Sequence, residues 1–517
     1  GVNRRRMHDL ETLLARGRDT WQSNAPPGEG PFPVQEMEIP GPAGPIPVLV
    51  QLPPAYRPNS AWPLMFAMHG GPVGKAADAR RAAGRMLAVW QEAAGKAGWI
   101  VAAPAMLDTV AAGPFTRERL PYEIFHPEEA RAVLLELRSR FAIDPDRIVS
   151  TGISLGSNFS IAYACAHPDW FSAIVPVSTE GDSRELLLRN LRGVPVFLLE
   201  GSRDQNIRTI AGPRAFRDIL KDFGYELEYR EFSDRVHEGF QERYPEVLKW
   251  LGERPRKRDP HVALRVPNSG IVALSRRIHW AACDTRQGLF RAETSDTNRI
   301  EIAARWTRRI ELFLNDRLVD LDRPVEVAVN GRTVFQGRVP RSIPFALAQI
   351  RELGDESRVY PARLEVEVPD SPSSLVAARQ LWHEYAPRRE EGTLSYWETF
   401  ATRALFERFP SAGFQGVEQP LPQGVPGSLE QVALRVESVE SGSAVALAGL
   451  RPGDLVLEFG GEPFFHKHTG VAGLHQLLLR ELRGRPSDHL VRVWRDGKIL
   501  EWTIRLQLGS YRETSSR

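Results

Sequence analysis

Short runs of apolar residues alternate with amphipathic stretches over about the first half of the chain. Strands that are apolar along their whole length are typical of parallel sheets buried on both faces. Their alternation with helical patterns predicts an α/β domain, with helices on both faces of a mostly parallel sheet. The predicted strands are Val34–Ile39, Ile46–Leu52, Pro63–Met68, Trp99–Ala105, Arg147–Thr151, Phe171–Val177, Val194–Leu199 and Glu226–Phe232. The predicted helices are Ala76–Lys96, Pro127–Phe141, Asn158–Ala166, Ser183–Leu191, Ala211–Phe223 and Tyr244–Leu251.

Beyond the α/β domain the sequence pattern changes. Many short alternating apolar runs follow, and Asn330-Gly331 lies between two of them as a hairpin signal. These features predict a β-sandwich. The charged stretch before it, residues 252–260, is predicted to be a solvated linker. The complete predicted division is an N-terminal helix and loop (1–33), the α/β domain (34–254), the β-sandwich (261–370), a helical connector (371–409) and a small α+β module (410–508).

Bulk composition argues against several classes of function. The 517 residues carry 67 basic and 65 acidic side chains, so we expect no nucleic-acid or membrane-surface partner. No apolar run reaches the roughly 18 residues needed to span a bilayer. Cys165 and Cys283 are expected to be buried free thiols. The chain starts at Gly1 without a signal-peptide pattern, so we expect either that a leader was removed or that the chain itself was trimmed. Of the possible locations, a periplasmic or secreted one is favoured.

A candidate nucleophile lies between a predicted strand and a predicted helix. The segment Gly152-Ile153-Ser154-Leu155-Gly156 fits the pattern G-x-S-x-G, and its context is that of a strand–turn–helix nucleophile elbow. Such a turn is so tight that side chains two residues before and after the serine would clash. Glycine at both places relieves the clash. We therefore expect Ser154 to be an exposed nucleophile.

A serine nucleophile needs a base and a third group that orients the base. Asp204 and His237 each follow a predicted strand, in the chain order serine, acid, histidine. Because the carboxyl ends of parallel strands meet at one sheet edge, we expect both side chains near Ser154. Glu180 and Asp182 follow a neighbouring strand and remain alternatives to Asp204 as the acid.

Acyl transfer also needs hydrogen-bond donors for the developing oxyanion. One donor is expected to be the backbone N–H of Leu155, which follows the nucleophile. The second is expected from the loop His69-Gly70-Gly71-Pro72, which follows a predicted strand. Pro72 has no N–H, so Gly70 or Gly71 must supply this donor.

Two runs of sequence and the Asp204–His237 pair have counterparts in a known family. The runs are Pro63–Gly71 (PLMFAMHGG) and Phe141–Gly156 (FAIDPDRIVSTGISLG). Together they resemble the esterase and peptidase branch of the α/β-hydrolases. More narrowly, they are similar to polyhydroxybutyrate-depolymerase-like and feruloyl-esterase-like enzymes and to the prolyl-oligopeptidase catalytic domain. The resemblance covers residues 34–252 and implies an α/β-hydrolase fold with serine hydrolase activity.

The C-terminal module carries the run AGLRPGD at residues 448–454, after a small-residue turn and a short helix. This pattern resembles a bacterial-type PDZ domain. The resemblance implies that a peptide C-terminus adds as a strand to an exposed sheet edge. In that family a glycine-rich loop before the binding strand holds the terminal carboxylate, and the best match here is Gly413-Phe414-Gln415-Gly416. Alternatively, the module packs on the sandwich and binds nothing.

Three functions remain open from sequence. The first is a serine hydrolase that cleaves a small-molecule or polymer-linked carboxylic ester, with a PDZ-like module that recruits a peptide. The second is a serine peptidase of prolyl-oligopeptidase type, although no propeller precedes the α/β domain. The third is a catalytically silent scaffold, against which the complete set of candidate residues argues. No cofactor is expected, and His466 and His468 have no third ligand nearby to make a metal site.

Overall fold

The structure is a computed structural model. It describes residues 4–18, 32–41, 44–71, 76–106, 127–179, 181, 185–204, 211–267, 274–285, 288–369, 414–421, 425, 431–439, 441, 444–459, 462–465 and 487–506. The chain divides into two compact units, residues 1–386 and 387–517. No helix within the described ranges is long and apolar enough to cross a membrane. The predicted connector, residues 371–409, lies outside the described residues.

An eight-stranded sheet organises the first part of the first unit. Its strands are β1 Val34–Gly41, β2 Gly44–Gln51, β3 Trp62–Met68, β4 Ile100–Pro104, β5 Ile143–Ile153, β6 Ala173–Val177, β7 Val196–Gly201 and β8 Leu227–Phe232. Their spatial order is β1-β2-β4-β3-β5-β6-β7-β8. Strand β2 is antiparallel to both of its neighbours, β1 and β4. The remaining neighbouring pairs in this order, β4–β3, β3–β5, β5–β6, β6–β7 and β7–β8, are parallel. The predicted α/β domain with a mostly parallel sheet is therefore confirmed.

Helices cover both faces of this sheet. Leu64 and Phe66 of β3 lie in one core with the helices that begin at residues 127, 155 and 211. Met65 and Ala67 lie in a second core with the helices that begin at residues 76 and 244. Successive side chains of a strand point to opposite faces, so β3 must be apolar throughout. The helices of the first unit are α1 Arg4–Arg18, α2 Ala76–Lys96, α3 Pro127–Arg140, α4 Leu155–Ala166, α5 Glu185–Leu188, α6 Ala211–Asp222, α7 Tyr244–Gly252 and α8 Ile343–Leu353, with 3₁₀ turns at Arg189–Leu191 and Gln241–Arg243.

The region after the α/β domain contains two sheets that share one core. Its strands are β9 Val262–Arg265, β10 Arg277–Ile278, β11 Ala281–Cys283, β12 Leu289–Thr294, β13 Arg299–Arg305, β14 Arg309–Leu314, β15 Val325–Val329, β16 Arg332–Gly337 and β17 Ala362–Glu367. One sheet has the order β10-β11-β14-β17 and the other β16-β15-β13-β12-β9. Asn330 and Gly331 join β15 to β16 with φ of 49° and 77°, the backbone of a tight hairpin turn. The sequence signal at this dipeptide therefore marked a real hairpin.

The charged stretch between these two parts is buried at its centre. The side chain of Arg256 is only 3% exposed, and its guanidinium pairs with Asp146 and Asp355, each at 2.8 Å. Asp355 also accepts a hydrogen bond from Arg358, which in turn pairs with Asp169. The prediction of a solvated linker is therefore wrong at Arg256, because carboxylates of the α/β domain and of the β region neutralise its charge.

This charged cluster depresses the pKa of its acids. Burial alone would raise the pKa of Asp169, but Arg358 and other nearby positive charges lower it to about 2. Burial also opposes ionisation of Asp355, yet Arg256 and Arg358 hold its pKa well below the usual range. Removing one partner from such a buried pair typically costs about 3–5 kcal/mol. The cluster therefore ties the α/β domain to the β region within one compact unit.

Helix α1 packs on the β region. Met7 is buried with Ala346 and Val359, and Arg4 pairs with Asp316 at 3.2 Å. Residues 4–18 thus form the predicted helix, and this helix shares a small apolar core with α8.

The second unit contains a six-stranded sheet. Its elements are β18 Phe414–Pro420, β19 Gln431–Val439, helix α9 Ala444–Leu447, β20 Leu455–Phe459, β21 Glu462–Phe465, β22 Ser487–Arg495 and β23 Lys498–Leu506. The order β18-β19-β21-β20-β22-β23 leaves β18 at an edge. Phe414, Gln415 and Gly416 belong to β18 itself, which has a register shift at Gln415/Gly416, and not to a loop before it. Gly413, His466 and His468 lie outside the described residues.

The turn before β20 is organised by a buried aspartate. Asp454 is 2% exposed, accepts a hydrogen bond from the backbone N–H of Arg451 at 2.8 Å and pairs with Arg495. Gly449 and Gly453 have positive φ of 95° and 93°, which glycine adopts readily. The AGLRPGD run therefore forms a turn that is held by the side chain of Asp454 and leads into β20.

Candidate active site

Ser154 forms the junction between β5 and α4. Its φ of 59° and ψ of −124° lie where residues other than glycine are rarely found. The backbone N–H of Ser154 donates to the carbonyl of Val177 in β6 at 3.0 Å, and the hydroxyl of Ser157 donates to the carbonyl of Ser154. Contacts with the next strand and with the first turn of α4 thus hold this strained backbone in place.

Gly152 and Gly156 make the turn possible. A β-carbon on Gly152 would lie 2.2 Å from the backbone of Gly156. One on Gly156 would lie 2.2 Å from the carbonyl oxygen of Met68. The clash that the G-x-S-x-G pattern predicts is therefore present at both glycines.

Asp204 and His237 are in direct contact. The Oδ2 atom of Asp204 lies 2.6 Å from Nδ1 of His237. The side chain of Asp204 is fully buried, whereas that of His237 is 19% exposed. When Nδ1–H donates to a carboxylate, Nε2 is left as the ring nitrogen that accepts a proton. The pair therefore has the arrangement of a base and its orienting acid.

Backbone contacts join the loops that carry this pair. The N–H of Arg203 donates to the carbonyl of Arg235 at 2.9 Å. Gly201 permits the close approach, because a β-carbon there would lie 2.6 Å from the carbonyl oxygens of Arg235 and Val236. The two loops thus form one packed unit at the carboxyl ends of β7 and β8.

The loop of His237 also approaches the serine turn. A β-carbon on Gly239 would lie 3.3 Å from the side chain of Ile153, the residue before Ser154. Within the described ranges no hydrogen bond joins Ser154 to His237. In enzymes without substrate this contact is often long. The structure thus brings the three predicted residues to one edge of the sheet, while the alternative acids, Glu180 and Asp182, lie outside the described residues.

The expected oxyanion donors flank the serine. A β-carbon on Gly70 would lie 2.7 Å from the carbonyl oxygen of Ile153 and 3.1 Å from Cβ of Ser154, so this residue packs against the turn. Gly71 has a φ of 76°, and a β-carbon there would meet no atom of a described residue within 4 Å. Leu155 is the first residue of α4, where a backbone N–H has no partner inside the helix.

His69 anchors the glycine loop in a neutral form. Its Nε2 accepts from the backbone N–H of Met106 at 3.0 Å, and its Nδ1 lies 3.2 Å from the carbonyl oxygen of Gly70. The accepting Nε2 carries no proton, so the proton is on Nδ1. Burial lowers the pKa of His69, in agreement with this neutral tautomer. Sequence identified this histidine only as part of the HGGP loop and missed its anchoring role.

Glu200 is a buried carboxyl group close to the acid loop. The side chain lies near the end of β7 and is completely buried. Its Oε1 accepts the backbone N–H of Thr179 at 2.9 Å, while its Oε2 has no hydrogen-bond partner among the residues that the structure describes. Burial raises the pKa of Glu200 well above its usual value, with a smaller contribution from the charge of Asp204. We therefore expect Glu200 to keep its proton to a higher pH than an exposed glutamate does.

Replacing Glu200 by glutamine, which mimics the neutral acid, should stabilise the protein at neutral and alkaline pH. In the unfolded chain Glu200 ionises above its ordinary pKa of 4.5, whereas burial in the folded chain raises this pKa well above that value. Stability therefore falls as pH rises from that value towards the folded pKa. Urea unfolding should show a gain of about 1–3 kcal/mol for Glu200→Gln at about pH 8, and little difference at about pH 4.

Glu253→Gln is the matched control, because the Glu253 side chain is 69% exposed. It should show no such pH-dependent gain. Equal stability of Glu200→Gln and the wild type at both pH values would mean that Glu200 is charged in the folded protein.

One group of carboxylates outside this site has metal-ligand spacing in the described part of the chain. Oxygens of Asp316, Asp320 and Asp322 lie within 4.8 Å of one another. Arg4 and Arg341 pair with these acids and balance their charge. The candidate active site itself contains no comparable cluster among the described residues.

Comparison with known proteins gives one short sequence match. No family model matches the chain. The chain is 33% identical over 75 residues to the protein named “Putative esterase NocK” of Nocardia uniformis subsp. tsuyamanensis. The match covers 14% of this chain and 22% of that protein, so it spans about a fifth of the relative's length.

Solved structures resemble part of the chain. A thermostable esterase is 21% identical, with a TM-score of 0.36 over 44% of this chain and 63% of its own. A ferulic acid esterase is 14% identical, with a TM-score of 0.35 over 43% of this chain and 99% of its own. Porphyromonas gingivalis dipeptidyl peptidase 4 is 14% identical, with a TM-score of 0.34 over 44% of this chain and 36% of its own. In this chain, the strand order and the serine turn after β5 are those of an α/β-hydrolase fold.

Proposed function

We propose that this protein is a serine hydrolase that cleaves a carboxylic ester through an acyl-enzyme. The observation that carries the proposal is the 2.6 Å contact between buried Asp204 and His237, at the sheet edge where Ser154 occupies its strained turn. Strain at a single non-glycine residue persists only where the surroundings impose it, and it is frequent at active sites. The name of the esterase relative supports an ester rather than another acyl substrate.

The reaction would proceed in two halves. Oγ of Ser154 attacks the ester carbonyl carbon while Nε2 of His237 takes the hydroxyl proton. The tetrahedral intermediate collapses, the alcohol leaves with that proton, and the acyl group stays on Ser154. Water then attacks the acyl-enzyme with His237 again as base, and the acid product leaves Ser154 with its proton restored.

A carboxylate and two backbone N–H groups assist the reaction by orienting the imidazole ring and by stabilising the charges that develop. Asp204 holds the imidazole ring in one tautomer and stabilises the positive charge that forms on it. The N–H of Leu155 and an N–H of the Gly70-Gly71 pair donate to the oxyanion. Losing one such donor typically lowers turnover about 10²–10³-fold.

Labelling with a fluorophosphonate probe tests the proposal. We expect the full-length protein to react, and peptide mapping to place the label on Ser154. A panel of p-nitrophenyl acetate, p-nitrophenyl butyrate and matched peptide amides then identifies the scissile bond. Failure to label would refute the serine hydrolase proposal, and a preference for peptide amides would favour the alternative peptidase of prolyl-oligopeptidase type.

We also propose that the PDZ-like module binds a peptide C-terminus. The support is strand β18, which lies at a sheet edge and pairs on one side with β19. An edge strand offers unpaired N–H and C=O groups to an added strand. Binding of a C-terminal peptide library to the full-length chain tests this, with amidated copies as controls. No binder tighter than about millimolar would favour a module that only packs.

A further inference from the structure

Ser178 lies between the nucleophile turn and the loop of the candidate base. It directly follows β6, is completely buried, and has a positive φ of 45°. A non-glycine residue in this region is strained and persists only where its surroundings impose the conformation. Glycine would remove the strain, but it would also remove the hydroxyl group.

The hydroxyl of Ser178 makes two hydrogen bonds to one residue. Its Oγ donates to the carbonyl oxygen of Glu238 at 2.8 Å and accepts from the N–H of Glu238 at 3.2 Å. Glu238 immediately follows His237. This hydroxyl therefore fixes both backbone polar groups of the residue next to the candidate base.

The backbone around Ser178 is bound to the nucleophile turn. The carbonyl of Val177 accepts the N–H of Ser154 at 3.0 Å, and the N–H of Ser178 donates to Leu199 in β7 at 2.9 Å. Two successive residues thus contact the serine turn and the histidine loop. The backbone hydrogen bond from Arg203 to Arg235 ties the histidine loop to the acid loop instead.

We propose that Ser178 is a positioning residue that sets the distance between Ser154 and the imidazole of His237, an inference that rests on the proposed function. The Asp204 contact orients the ring relative to the acid loop. The paired hydrogen bonds to Glu238 connect the histidine loop to the end of β6, the strand whose Val177 binds the N–H of Ser154. A displacement of about 1 Å at a reacting group can cost about 10²-fold in rate.

Two variants of Ser178 distinguish an effect on the position of His237 from an effect on the stability of the protein. Ser178→Ala loses the hydroxyl and keeps the strained φ, whereas Ser178→Gly loses the hydroxyl and relieves the strain. We expect both to lower kcat for p-nitrophenyl acetate about 10–100-fold per titrated active site, with KM changed less than about threefold. The rate of fluorophosphonate labelling should fall in parallel. Thermal stability should differ, with Ser178→Gly the more stable of the two.

Ser172→Ala is the matched control. Ser172 is buried just before β6, and its hydroxyl donates to the carbonyl of Ile148 at 3.1 Å. This variant should keep the wild-type kcat per active site. The positioning role would be overturned if both Ser178 variants kept the wild-type kcat, or if their activity followed their melting temperatures. Either result would leave the proposed function intact. A wild-type protein inert towards both probe and ester would overturn the proposed function and this inference with it.

Discussion

Ser154→Ala should reduce ester turnover about 10⁶-fold, because no other group at the turn can form the acyl-enzyme. Alanine keeps the β-carbon, so it keeps the strained φ of 59° and removes only the hydroxyl. The backbone hydrogen bonds to Val177 and within α4 do not use that hydroxyl. The variant should therefore fold with nearly wild-type thermal stability. Steady-state hydrolysis of p-nitrophenyl butyrate and a thermal melt measure the two effects.

Ser160→Ala provides the control for loss of a serine hydroxyl on the same helix. Ser160 is buried in α4, and its hydroxyl donates to the carbonyl of Gly156 at 3.1 Å. This variant should remain active and should still be labelled by the fluorophosphonate. Turnover by Ser154→Ala at the wild-type rate would show that another residue is the nucleophile.

Sequence predicted the α/β domain well, because the central strands of its sheet are buried on both faces. Alternate residues of β3 enter separate cores, so the whole strand must be apolar, and such a run is visible without any knowledge of the fold. The serine turn was visible because both of its glycines belong to one short pattern around Ser154. The clash that requires Gly152 is with Gly156, four residues away, whereas the clash that requires Gly156 is with Met68, far away in the chain.

Element boundaries were less accurate where the turn chemistry decides them. Helix α4 was predicted to start at Asn158 but begins at Leu155, because the elbow leaves no loop after the nucleophile. Helix α8 was not predicted, although its local signals are present. Ser342 caps it by accepting the N–H of Phe345, and Gly354 ends it with a φ of 59°.

Contacts between distant segments could not be predicted from local pattern. Arg256 lies in a run of charges that resembles a linker, and only the folded chain brings it to Asp146 and Asp355. The roles of Ser178 and Glu200 depend in the same way on residues 60 and 21 positions away. No spacing rule connects such residues, so the supports of the candidate site emerged only from the structure.

Asp204→Asn should lower kcat about 10⁴-fold while leaving KM and thermal stability nearly unchanged. Asparagine has the same shape but no charge, and it can present an N–H to Nδ1 of His237, which favours the wrong tautomer. The effect should be large because the Asp204 side chain is fully buried and 2.6 Å from the ring. The measurement is steady-state ester hydrolysis, normalised to sites titrated with the fluorophosphonate.

A comparison with variants of the two competing carboxylates tests whether Asp204 is the orienting acid. Glu180→Gln and Asp182→Asn remove carboxylates that follow β6 in the sequence and leave Asp204 unchanged, so each should retain kcat within about tenfold. The three variants share one chemical change, from carboxylate to amide, and differ only in position. A 10⁴-fold loss in Asp182→Asn or Glu180→Gln, together with an active Asp204→Asn, would transfer the acid role to that residue. It would also imply that His237 leaves its present contact with Asp204 when the substrate binds.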